Sequence, residues 1–351
     1  MKVLHLSPTY FDNHSVIGGA ERYAWELAKA MARKAEVHFV SFGAAHESWQ
    51  EGPLTCRRLV SPSLGALLNE IKWAEVIHCH QVYRWQTDYA VVAGRLSGRK
   101  VFASDLGGFG KNSLSYHFPI LRCLNGMLFI SSYSKQLWEK RLSPGRRPKI
   151  MEVVWGGVDL QKFQPNWEPR TKKILFVGRI LSHKGVDVLI DAAEADMEIE
   201  IVGHPYDEKY LSLLKEKAKN KRIQFSFNVS DEDLVRKYQT ALVTVLPSVY
   251  RTCDGHEHES PELLGLVLLE SLATSTPVIV TNVASLPEIV LDGESGFIIP
   301  PNDPVALREK LLLLMDQPAI GKKMGRRGSK EILEKFTWDL TAERCLQAYG
   351  K

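Results

Sequence analysis

Two short segments, 172-KKILFVG-178 and 198-EIEIVG-203, decide the fold class of this 351-residue chain. Each is a largely apolar run that ends in glycine, and a helix is expected to begin after Lys184-Gly185, between them. Near-continuous apolar runs are typical of parallel strands that are covered on both faces. A strand, a helix and a second strand in this order predict a βαβ unit.

The same alternation extends over the whole chain. Strand-like runs recur in both halves: KVLHLS (2–7), EVHFVSF (36–42), EVIHCH (75–80), KVFAS (100–104), MLFIS (127–131), RIQFSF (222–227), LVTVLP (242–247) and PVIVT (277–281). Between the first two runs, apolar residues from Ala20 to Met31 recur at steps of three and one, which marks one face of a helix. The pattern predicts an α/β protein with two doubly wound parallel sheets.

One break interrupts this pattern. The stretch LQKFQPNWEPRTK (160–172) has two prolines and no periodicity, and the chain is longer than one hydrophobic core usually supports. We therefore predict a first domain over 1–160, a linker over 161–172 and a second domain over 173–335. A final helix, 336–351, is expected to fold back across the boundary. Two such domains that face each other across a cleft would place ligands at the carboxyl ends of their strands.

Composition narrows the class of protein. Hydrophobic residues make up 44% and charged residues 25%, and no apolar run approaches the roughly 18 to 20 residues that span a bilayer. The apolar stretch before Ser7 is too short for a signal peptide. Five cysteines without CxxC spacing indicate a reducing compartment. We expect a cytoplasmic protein.

Charge is unevenly distributed. Residues 1–160 contain 20 Lys and Arg against 13 Asp and Glu, whereas residues 161–351 contain 25 against 28. The run KRLSPGRRPK (140–149) lies in the basic half; it fits either a solvated surface or contact with an anionic substrate or with a membrane, as a peripheral protein would make. Because no aromatic residues alternate with the basic ones, nucleic acid is not expected as a partner.

The loop after the first strand leads into VIGGAER (16–22). Gly18 and Gly19 at a helix start would let a phosphate approach free backbone N–H groups, although a plain turn fits equally well. The GxGxxG pattern of dinucleotide sites is absent, and so is the GxxxxGK[ST] pattern of P-loop proteins.

The segment FVGRILSHKG (176–185) carries the stronger phosphate signal. Gly178 ends a strand, Arg179 follows directly, and Lys184 precedes the next helix. A guanidinium and an ammonium group at one strand end suit a diphosphate, whereas salt-bridged surface residues are the alternative.

Two glutamates bracket the apolar segment PELLGLVLLES (261–271). A helix start near Gly265 puts Glu262 just before the helix and Glu270 about five residues into it, with free N–H groups of Leu264, Gly265 and Leu266 between them. This donor-rich centre between two acceptors complements a nucleoside diphosphate sugar. We expect the ligand's hydroxyl groups to satisfy the two carboxylates; otherwise, one faces solvent and the other caps a helix.

Taken together, the chain resembles a GT-B fold glycosyltransferase, specifically the retaining glycosyltransferase family 4 (GT4, glycosyl transferases group 1). The resemblance covers nearly the whole length, and its combination of motifs is specific. It is carried by GGAERYAWELAKAMA (18–32), VVWGGVDLQKFQP (153–165), ILFVGRILSHKGVDVLIDA (174–192), ELLGLVLLESLATSTPVIVT (262–281) and ASLPEIVLDGESGFIIPPNDP (284–304).

The resemblance implies a role for each matching residue. Arg179 and Lys184 would hold the diphosphate and offset charge as it leaves, Glu270 would bind the ribose, and Glu262 would hold the donor sugar. The amides of residues 264–266 would bind sugar and phosphate. The remaining implied donor-binding residues are Gly18, Gly19, Gly178 and Val229, the last of these through its main chain to the base.

The resemblance also implies the chemistry. A retaining transfer of a hexosyl group would move a sugar from a nucleotide-sugar donor to an acceptor hydroxyl, in the synthesis of a polysaccharide, glycolipid or glycoconjugate. The leaving phosphate oxygen would take the acceptor's proton, so that positioning and charge stabilisation provide the catalysis. Neither a metal ion nor another cofactor would be required.

The sequence departs from the family pattern in two places. Ser104 and Asp105 stand where the family commonly has His and Asp, so Asp105 is a candidate substitute for a sugar or acceptor contact. The loop 249–261 is longer than usual and is either a polar lid, a surface loop or, through Cys253, His256 and His258, a Zn²⁺ site.

His78 and His80 are a further pair of candidates. We expect them at a strand end that faces the cleft, in either a structural or a functional role.

Other functions remain open on the sequence. A sugar-nucleotide epimerase of the same fold is one alternative. A phosphorylase of the same fold is another, and it is disfavoured because it would need a far longer chain and a lysine-bound cofactor site. A nicotinamide-dependent oxidoreductase is disfavoured because GxGxxG is missing. A catalytically silent sugar-nucleotide binder is disfavoured by the intact Arg179, Lys184, Glu262 and Glu270.

Overall fold

The chain divides into two compact units. The computed structural model describes residues 1–8, 18–107, 113–166 and 170–351. Unit 1 comprises Met1–Gly157 with Trp338–Lys351, and unit 2 comprises Val158–Thr337. The predicted linker 161–172 falls within unit 2, apart from residues 167–169, which lie outside the described residues.

Unit 1 is built around a mainly parallel sheet. Its described strands are β1 (Lys2–Leu6), β2 (Glu36–Gly43), β3 (Glu47–Glu51), β4 (Leu54–Val60), β5 (Val76–His80), β6 (Lys100–Ser104), β7 (Gly126–Phe129) and β8 (Ile150–Val153). Their order is β3-β4-β2-β1-β5-β6-β7-β8, and only the β3–β4 pair is antiparallel among them. The sheet reverses its winding direction at β1 and β5, which are neighbours.

Helices cover this sheet. They are α1 (Gly19–Ala32), α2 (Leu64–Trp73), α3 (Trp85–Leu96), α4 (Leu114–His117), α5 (Ser132–Arg141) and α12 (Trp338–Gly350). The last helix belongs to unit 1 and packs against α1, where the Tyr23 and Trp338 rings lie 5.3 Å apart. An Arg33–Asp339 ion pair of 2.8 Å joins the same two helices. The C-terminal helix is thus part of the first unit.

Unit 2 contains a fully parallel sheet in the order β11-β10-β9-β12-β13-β14. Its strands are β9 (Ile174–Val177), β10 (Ile199–Val202), β11 (Ile223–Ser226), β12 (Val243–Leu246), β13 (Val278–Thr281) and β14 (Gly296–Ile299). Its helices are α6 (Val186–Ala192), α7 (Glu208–Lys217), α8 (Asp231–Thr240), α9 (Leu266–Ala273), α10 (Pro304–Asp316) and α11 (Pro318–Lys335). The winding reverses between β9 and β12.

The burial of each strand explains which of them the sequence predicted. The central strands β9, β10, β12 and β13 are buried at every residue, and they correspond to the apolar runs. The edge strand β3 (ESWQE) is mostly exposed, and β8 (IMEV) is half-buried. Neither those two strands nor β4 and β14 were predicted; β3 and β8 lie at sheet edges, where strands need less apolar sequence. The doubly wound α/β class itself is confirmed.

No helix in the described part of the chain combines the length and apolar character needed to cross a membrane.

Candidate active site

The winding reversal of unit 2 brings two loops side by side. One loop follows β9 and the other follows β12, and these two parallel strands are hydrogen-bonded neighbours. In open α/β sheets, ligands bind beyond the carboxyl ends of the strands at this point. The two loops contain the predicted residues Arg179, Lys184 and Glu262.

The 178–185 segment folds tightly after β9. A short 3₁₀ turn covers Ser182–Lys184, and Gly185 then adopts a left-handed conformation with φ +66°. A Cβ at Gly185 would lie 2.0 Å from the carbonyl oxygen of Pro247, so no larger residue fits. The close approach to Pro247, just after β12, therefore depends on glycine, and it places Lys184 beside the second loop.

Lys184 and Glu262 form a buried ion pair. Nζ of Lys184 contacts Oε1 of Glu262, and the two residues are 8% and 7% exposed. Ser248 donates a hydrogen bond of 3.0 Å to the same carboxylate oxygen, and Lys184 also reaches the Pro261 carbonyl at 3.4 Å. We call Lys184, Ser248 and Glu262 the charged cluster. Since a buried carboxylate is costly when it has no partner, this pairing accounts for the burial of Glu262.

Glu270 is also satisfied by the protein. It is the fifth residue of α9, is 5% exposed, and accepts a hydrogen bond of 3.0 Å from the Tyr238 hydroxyl. Both carboxylates thus have protein partners as well, and their predicted contact with ligand hydroxyl groups remains a prediction. These partners were not predicted, because Lys184, Ser248 and Tyr238 come from other elements, and the spacing of the glutamates carries no information about them.

The start of α9 presents free backbone donors. Gly265 caps the helix with φ +88°, in the left-handed region. Within the described residues, the N–H groups of Leu264, Gly265 and Leu266 donate no hydrogen bond to another protein group. Unpaired N–H groups at a helix start attract anions. Charged donors and backbone donors thus converge on the loop that precedes α9.

Arg179 stands apart from the charged cluster. Its side chain is exposed, and its guanidinium carbon lies 6.0 Å from the centre of the Tyr206 ring. None of the described carboxylates lies within ion-pair distance of it. The guanidinium is therefore available to an anionic ligand. Gly178, before it, directly follows β9 and is half-buried.

Val229 lies at the edge of the same sheet. It is half-buried in the turn between β11 and α8, and β11 is separated from β9 by β10. Its predicted contact with a nucleotide base remains a prediction.

The candidates in unit 1 occupy the corresponding loops of the first sheet. Gly18 caps α1 and Gly19 begins it, and a Cβ at Gly18 would lie 2.7 Å from a carboxylate oxygen of Glu21. Residues 9–17, which include the start of the VIGGAER stretch, lie outside the described residues, as do 108–112.

Asp105 follows β6 and has protein partners on both oxygens. The Trp138 indole donates to Oδ2 at 2.8 Å, and the Gly107 N–H donates to Oδ1 at 3.1 Å. Burial raises the pKa of Asp105, and these hydrogen bonds oppose the rise. A sugar or acceptor contact by Asp105 remains a prediction, and the structure gives the side chain a packing role as well.

Of the two roles left open for His78 and His80, the structure supports the structural one. Both lie on β5, and with His5 on the neighbouring β1 they form the histidine cluster, in which every residue is at most 1% exposed. His5 and His80 share a hydrogen bond of 2.8 Å, and Tyr349 of α12 contacts Nδ1 of His78 at 2.7 Å. Burial lowers the pKa of His78 to about 3. The cluster is a neutral polar core between the sheet and α12.

The histidine cluster has the geometry of a possible metal site, since one ring nitrogen from each residue lies within 4.8 Å of the others. However, most of the ring nitrogens already have partners, including Met31 Sδ and Ser104 Oγ. Only His80 Nδ1 has none in the described part of the chain. A bound ion would have to displace several of these contacts, so we assign no metal to the cluster.

The loop after β12 forms a small hairpin over residues 250–258. Arg251 pairs with Glu257 in an antiparallel bridge, and the turn passes through Gly255 at φ +84°. The zinc alternative is not supported: Cys253, His256 and His258 do not converge in the described structure. Instead, the His258 ring lies 4.7 Å from the ring of His183. The sequence analysis did not single out His183. Its position next to Lys184 in the chain does not indicate that it contacts His258 in the folded protein.

Comparisons with known proteins concern the family and the fold. Residues 158–331 match the family model described as glycosyl transferases group 1. Among curated relatives, D-inositol 3-phosphate glycosyltransferase of Corynebacterium diphtheriae is 29% identical over 58% of this chain and 51% of the relative. Alpha-maltose-1-phosphate synthase of Mycobacterium tuberculosis is 25% identical over 96% of both chains. The aligned part of the chain thus spans about half the length of the first relative.

Solved structures show the same fold. Sucrose-phosphate synthase from Thermosynechococcus elongatus aligns with a TM-score of 0.76 at 20% identity, over 99% of this chain and 98% of the neighbour. The structure of Anabaena Alr3699/HepE in complex with UDP aligns with a TM-score of 0.80 at 14% identity, over the full length of both chains. At these identities the likeness establishes the fold alone, which is GT-B. Unit 2 of this chain, which the family model matches almost throughout, belongs to the glycosyl transferases group 1.

Proposed function

We propose that this protein transfers a sugar from a nucleoside-diphosphate sugar to an acceptor hydroxyl, with retention at the anomeric carbon, as a family GT4 enzyme. The observation that supports this most is the meeting of Lys184, Glu262 and the free N–H groups of residues 264–266 at the reversal point of the unit 2 sheet. A diphosphate would bind Arg179, Lys184 and the helix start. Hydroxyl groups at its two ends would bind Glu262 and Glu270.

Binding would rearrange the charged cluster. In the structure, Lys184 is paired with Glu262. A diphosphate competes for the ammonium group, which leaves Glu262 free to accept hydrogen bonds from the donor sugar. The ion pair therefore holds both side chains in position, and neither charge is buried without a partner. Donor binding would then replace the contact between the two side chains with contacts to the ligand.

The transfer step balances without a protein base. The bond between the sugar's anomeric carbon and the diphosphate oxygen breaks, and a bond to the acceptor oxygen forms on the same face. The acceptor's proton moves to the departing phosphate oxygen. Arg179, Lys184 and the backbone N–H groups would stabilise the charge that develops on the diphosphate. On this proposal, neither a metal ion nor another cofactor participates.

The acceptor is proposed to bind residues of unit 1. Its basic stretch 140–149 and the excess of positive charge in residues 1–160 favour an anionic or lipid-phosphate-linked acceptor. The same surface would allow peripheral contact with an anionic membrane from the cytoplasmic side. Polysaccharide, glycolipid or glycoconjugate synthesis would use such an acceptor.

The test is thermal unfolding with UDP, GDP, ADP, dTDP and NAD. A ligand at about 100 times its Kd stabilises a protein by roughly 2.7 kcal/mol, so the matching nucleoside diphosphate should raise the melting temperature and NAD should not. UDP is tried first, because the HepE neighbour was solved with UDP and with UDP-glucose. A shift with NAD alone would favour an oxidoreductase and overturn the proposal.

A silent sugar-nucleotide binder would also respond to a nucleoside diphosphate. Single-turnover transfer or slow hydrolysis of the matching nucleotide sugar separates the two functions. If the nucleotide sugar binds but no sugar is released under any acceptor mixture, the silent binder is the correct description.

A further inference from the structure

The 250–258 hairpin is tied to the 178–185 segment at its base. The Val249 N–H donates a hydrogen bond of 2.9 Å to the His183 carbonyl oxygen. On the far side, the Tyr250 hydroxyl accepts a hydrogen bond of 2.7 Å from the Ala284 N–H, and Asn302 donates to the Arg251 carbonyl at 3.2 Å. Anchoring on both sides means that the hairpin holds a defined position beside the candidate diphosphate site.

Within the hairpin, the backbone determines where His258 lies. The His258 N–H donates to the Tyr250 carbonyl at 2.8 Å, which closes the hairpin, and the His258 ring then meets His183 at 4.7 Å and 42°. His256, two residues earlier, differs: its side chain is 76% exposed and lies 3.0 Å from Asp254. One histidine of the hairpin therefore faces the site and the other faces solvent.

The ring pair lies in a field of charged groups. They are Arg179 and Lys184 on the 178–185 segment, Glu262 bound to Lys184, and Glu257 and Glu259 on either side of His258 in the chain. Burial is the main cause that lowers the pKa of His183 to about 3, and the charges of Lys184, His258 and Arg179 add to it. At neutral pH, His183 in this environment is thus uncharged, although it adjoins the residues proposed to hold a dianion.

A bound diphosphate reverses the sign of this field. Its two negative charges offset Arg179 and Lys184, and an opposite charge nearby favours the protonated form of an imidazole. We propose that His183 and His258 are part of the diphosphate site and together take up a proton from solvent when a nucleoside-diphosphate sugar binds. This inference rests on the proposed function, and it assigns to the inserted hairpin a role in donor binding.

The experiment measures proton uptake directly. Isothermal titration calorimetry with UDP-glucose at pH 7.0, in two buffers of different ionisation enthalpy, gives the number of protons bound per ligand. Both phosphates of UDP-glucose are esterified, so the ligand itself does not titrate near neutral pH. If another base is preferred, GDP-, ADP- or dTDP-glucose replaces it.

We expect uptake of about 0.3 to 1 proton in the unmodified protein, and a Kd about two- to tenfold tighter at pH 6.5 than at pH 7.5, because one proton taken up changes affinity tenfold per pH unit. His258→Phe keeps an aromatic ring against His183 and should reduce both effects by more than half. His256→Phe, on the same hairpin, should leave both unchanged. His183→Gln provides a second variant should His258→Phe unfold.

The outcomes are separable. Binding without proton uptake in the unmodified protein would overturn this inference and leave the proposed function intact. Undiminished uptake in both His258→Phe and His183→Gln would place the proton elsewhere and also overturn it. If none of the four nucleotide sugars binds and none of the four nucleoside diphosphates raises the melting temperature, the inference and the proposed function fail together.

Discussion

The histidine cluster of unit 1 and the charged cluster of unit 2 lie at the reversal points of their two sheets, yet they differ in position along the strands. His5, His78 and His80 lie within β1 and β5, under α12. Lys184 and Glu262 lie beyond the ends of β9 and β12, in loops. The first cluster is neutral, and the second contains full charges.

This difference distinguishes polar groups that stabilise the fold from polar groups that can bind a ligand. A group within a strand cannot move without disturbing the ladder on both sides, so it can be satisfied only by fixed neighbours. A loop beyond the strand can exchange a protein partner for a ligand. The burial of a polar side chain therefore does not by itself identify a binding site. The position of that side chain relative to the strand ends does.

The largest expected effect comes from unpairing the charged cluster. Lys184→Met leaves Glu262 buried without its counterion, which should destabilise the protein by about 3 to 5 kcal/mol. Calorimetric unfolding would measure this loss. The double variant Lys184→Met/Glu262→Gln should regain most of the stability and no transfer activity, because a neutral side-chain amide at this position can still accept from Ser248. A single variant as stable as the unmodified protein would contradict the burial of the pair.

Removing the carboxylate tests catalysis instead. Glu262→Ala should reduce turnover at least ~100-fold, the usual scale for a group that acts at the reacting centre, while nucleoside diphosphate binding persists. Steady-state transfer and diphosphate titration on the same preparation give both quantities. Near-normal turnover would remove Glu262 from the proposed mechanism.

Acid should act on the histidine cluster. The folded pKa of His78 is lowered to about 3 from 6.5, so the unfolded chain binds more protons between these values and stability falls as the pH drops below 6.5. Between pH 7 and pH 5, His78 alone should cost about 2 kcal/mol. Burial lowers the pKa of His5 and His80 in the same direction.

Tryptophan fluorescence can measure this acid effect, since seven of the eight tryptophans lie in unit 1. Urea midpoints at pH 7 and pH 5 would be compared between the unmodified protein and His78→Phe, which should show a shallower pH dependence whatever its absolute stability. Equal pH dependence in both proteins would contradict the assignment.

The smallest expected effect is a change in nucleoside diphosphate affinity at Arg179, which is exposed and stands apart from the charged cluster. Tyr206→Ala removes the ring near Arg179 and should weaken nucleoside diphosphate binding about two- to fivefold, as an exposed cation–π contact is worth about 0.5 to 1 kcal/mol. Tyr206→Phe keeps the ring and should bind normally. A much larger loss in Tyr206→Ala would show that Tyr206 itself contacts the ligand.

Prediction from the sequence succeeded where local composition carried the information. The runs ILFV and VIVT are buried at every residue and form central strands, and Gly265 stands at the start of α9 as expected. It failed where a partner lies far away in the chain. Ser248 and Tyr238 hold the two glutamates, but nothing in their own sequence surroundings marks them.

The histidine cluster also shows that the sequence does not reveal partners that lie far away in the chain. The HxH pattern of β5 places His78 and His80 on one face of a strand, which the sequence alone establishes. Which face is covered depends on Tyr349, 271 residues later, and on Met31 of α1. The strand-end position therefore left a structural and a functional role open, and the packing of α12 favours the structural one.

The order of apolar runs, glycines and charges by itself determined the doubly wound α/β class, the resemblance to glycosyl transferases group 1 and the residues to examine, because strand burial and turn geometry follow from neighbours in the chain. Only the tertiary structure decided that Lys184 neutralises Glu262, that His258 meets His183, and that three histidines share a sealed core. Each of these contacts joins different elements, and its energy depends on burial and distance, which no local pattern encodes.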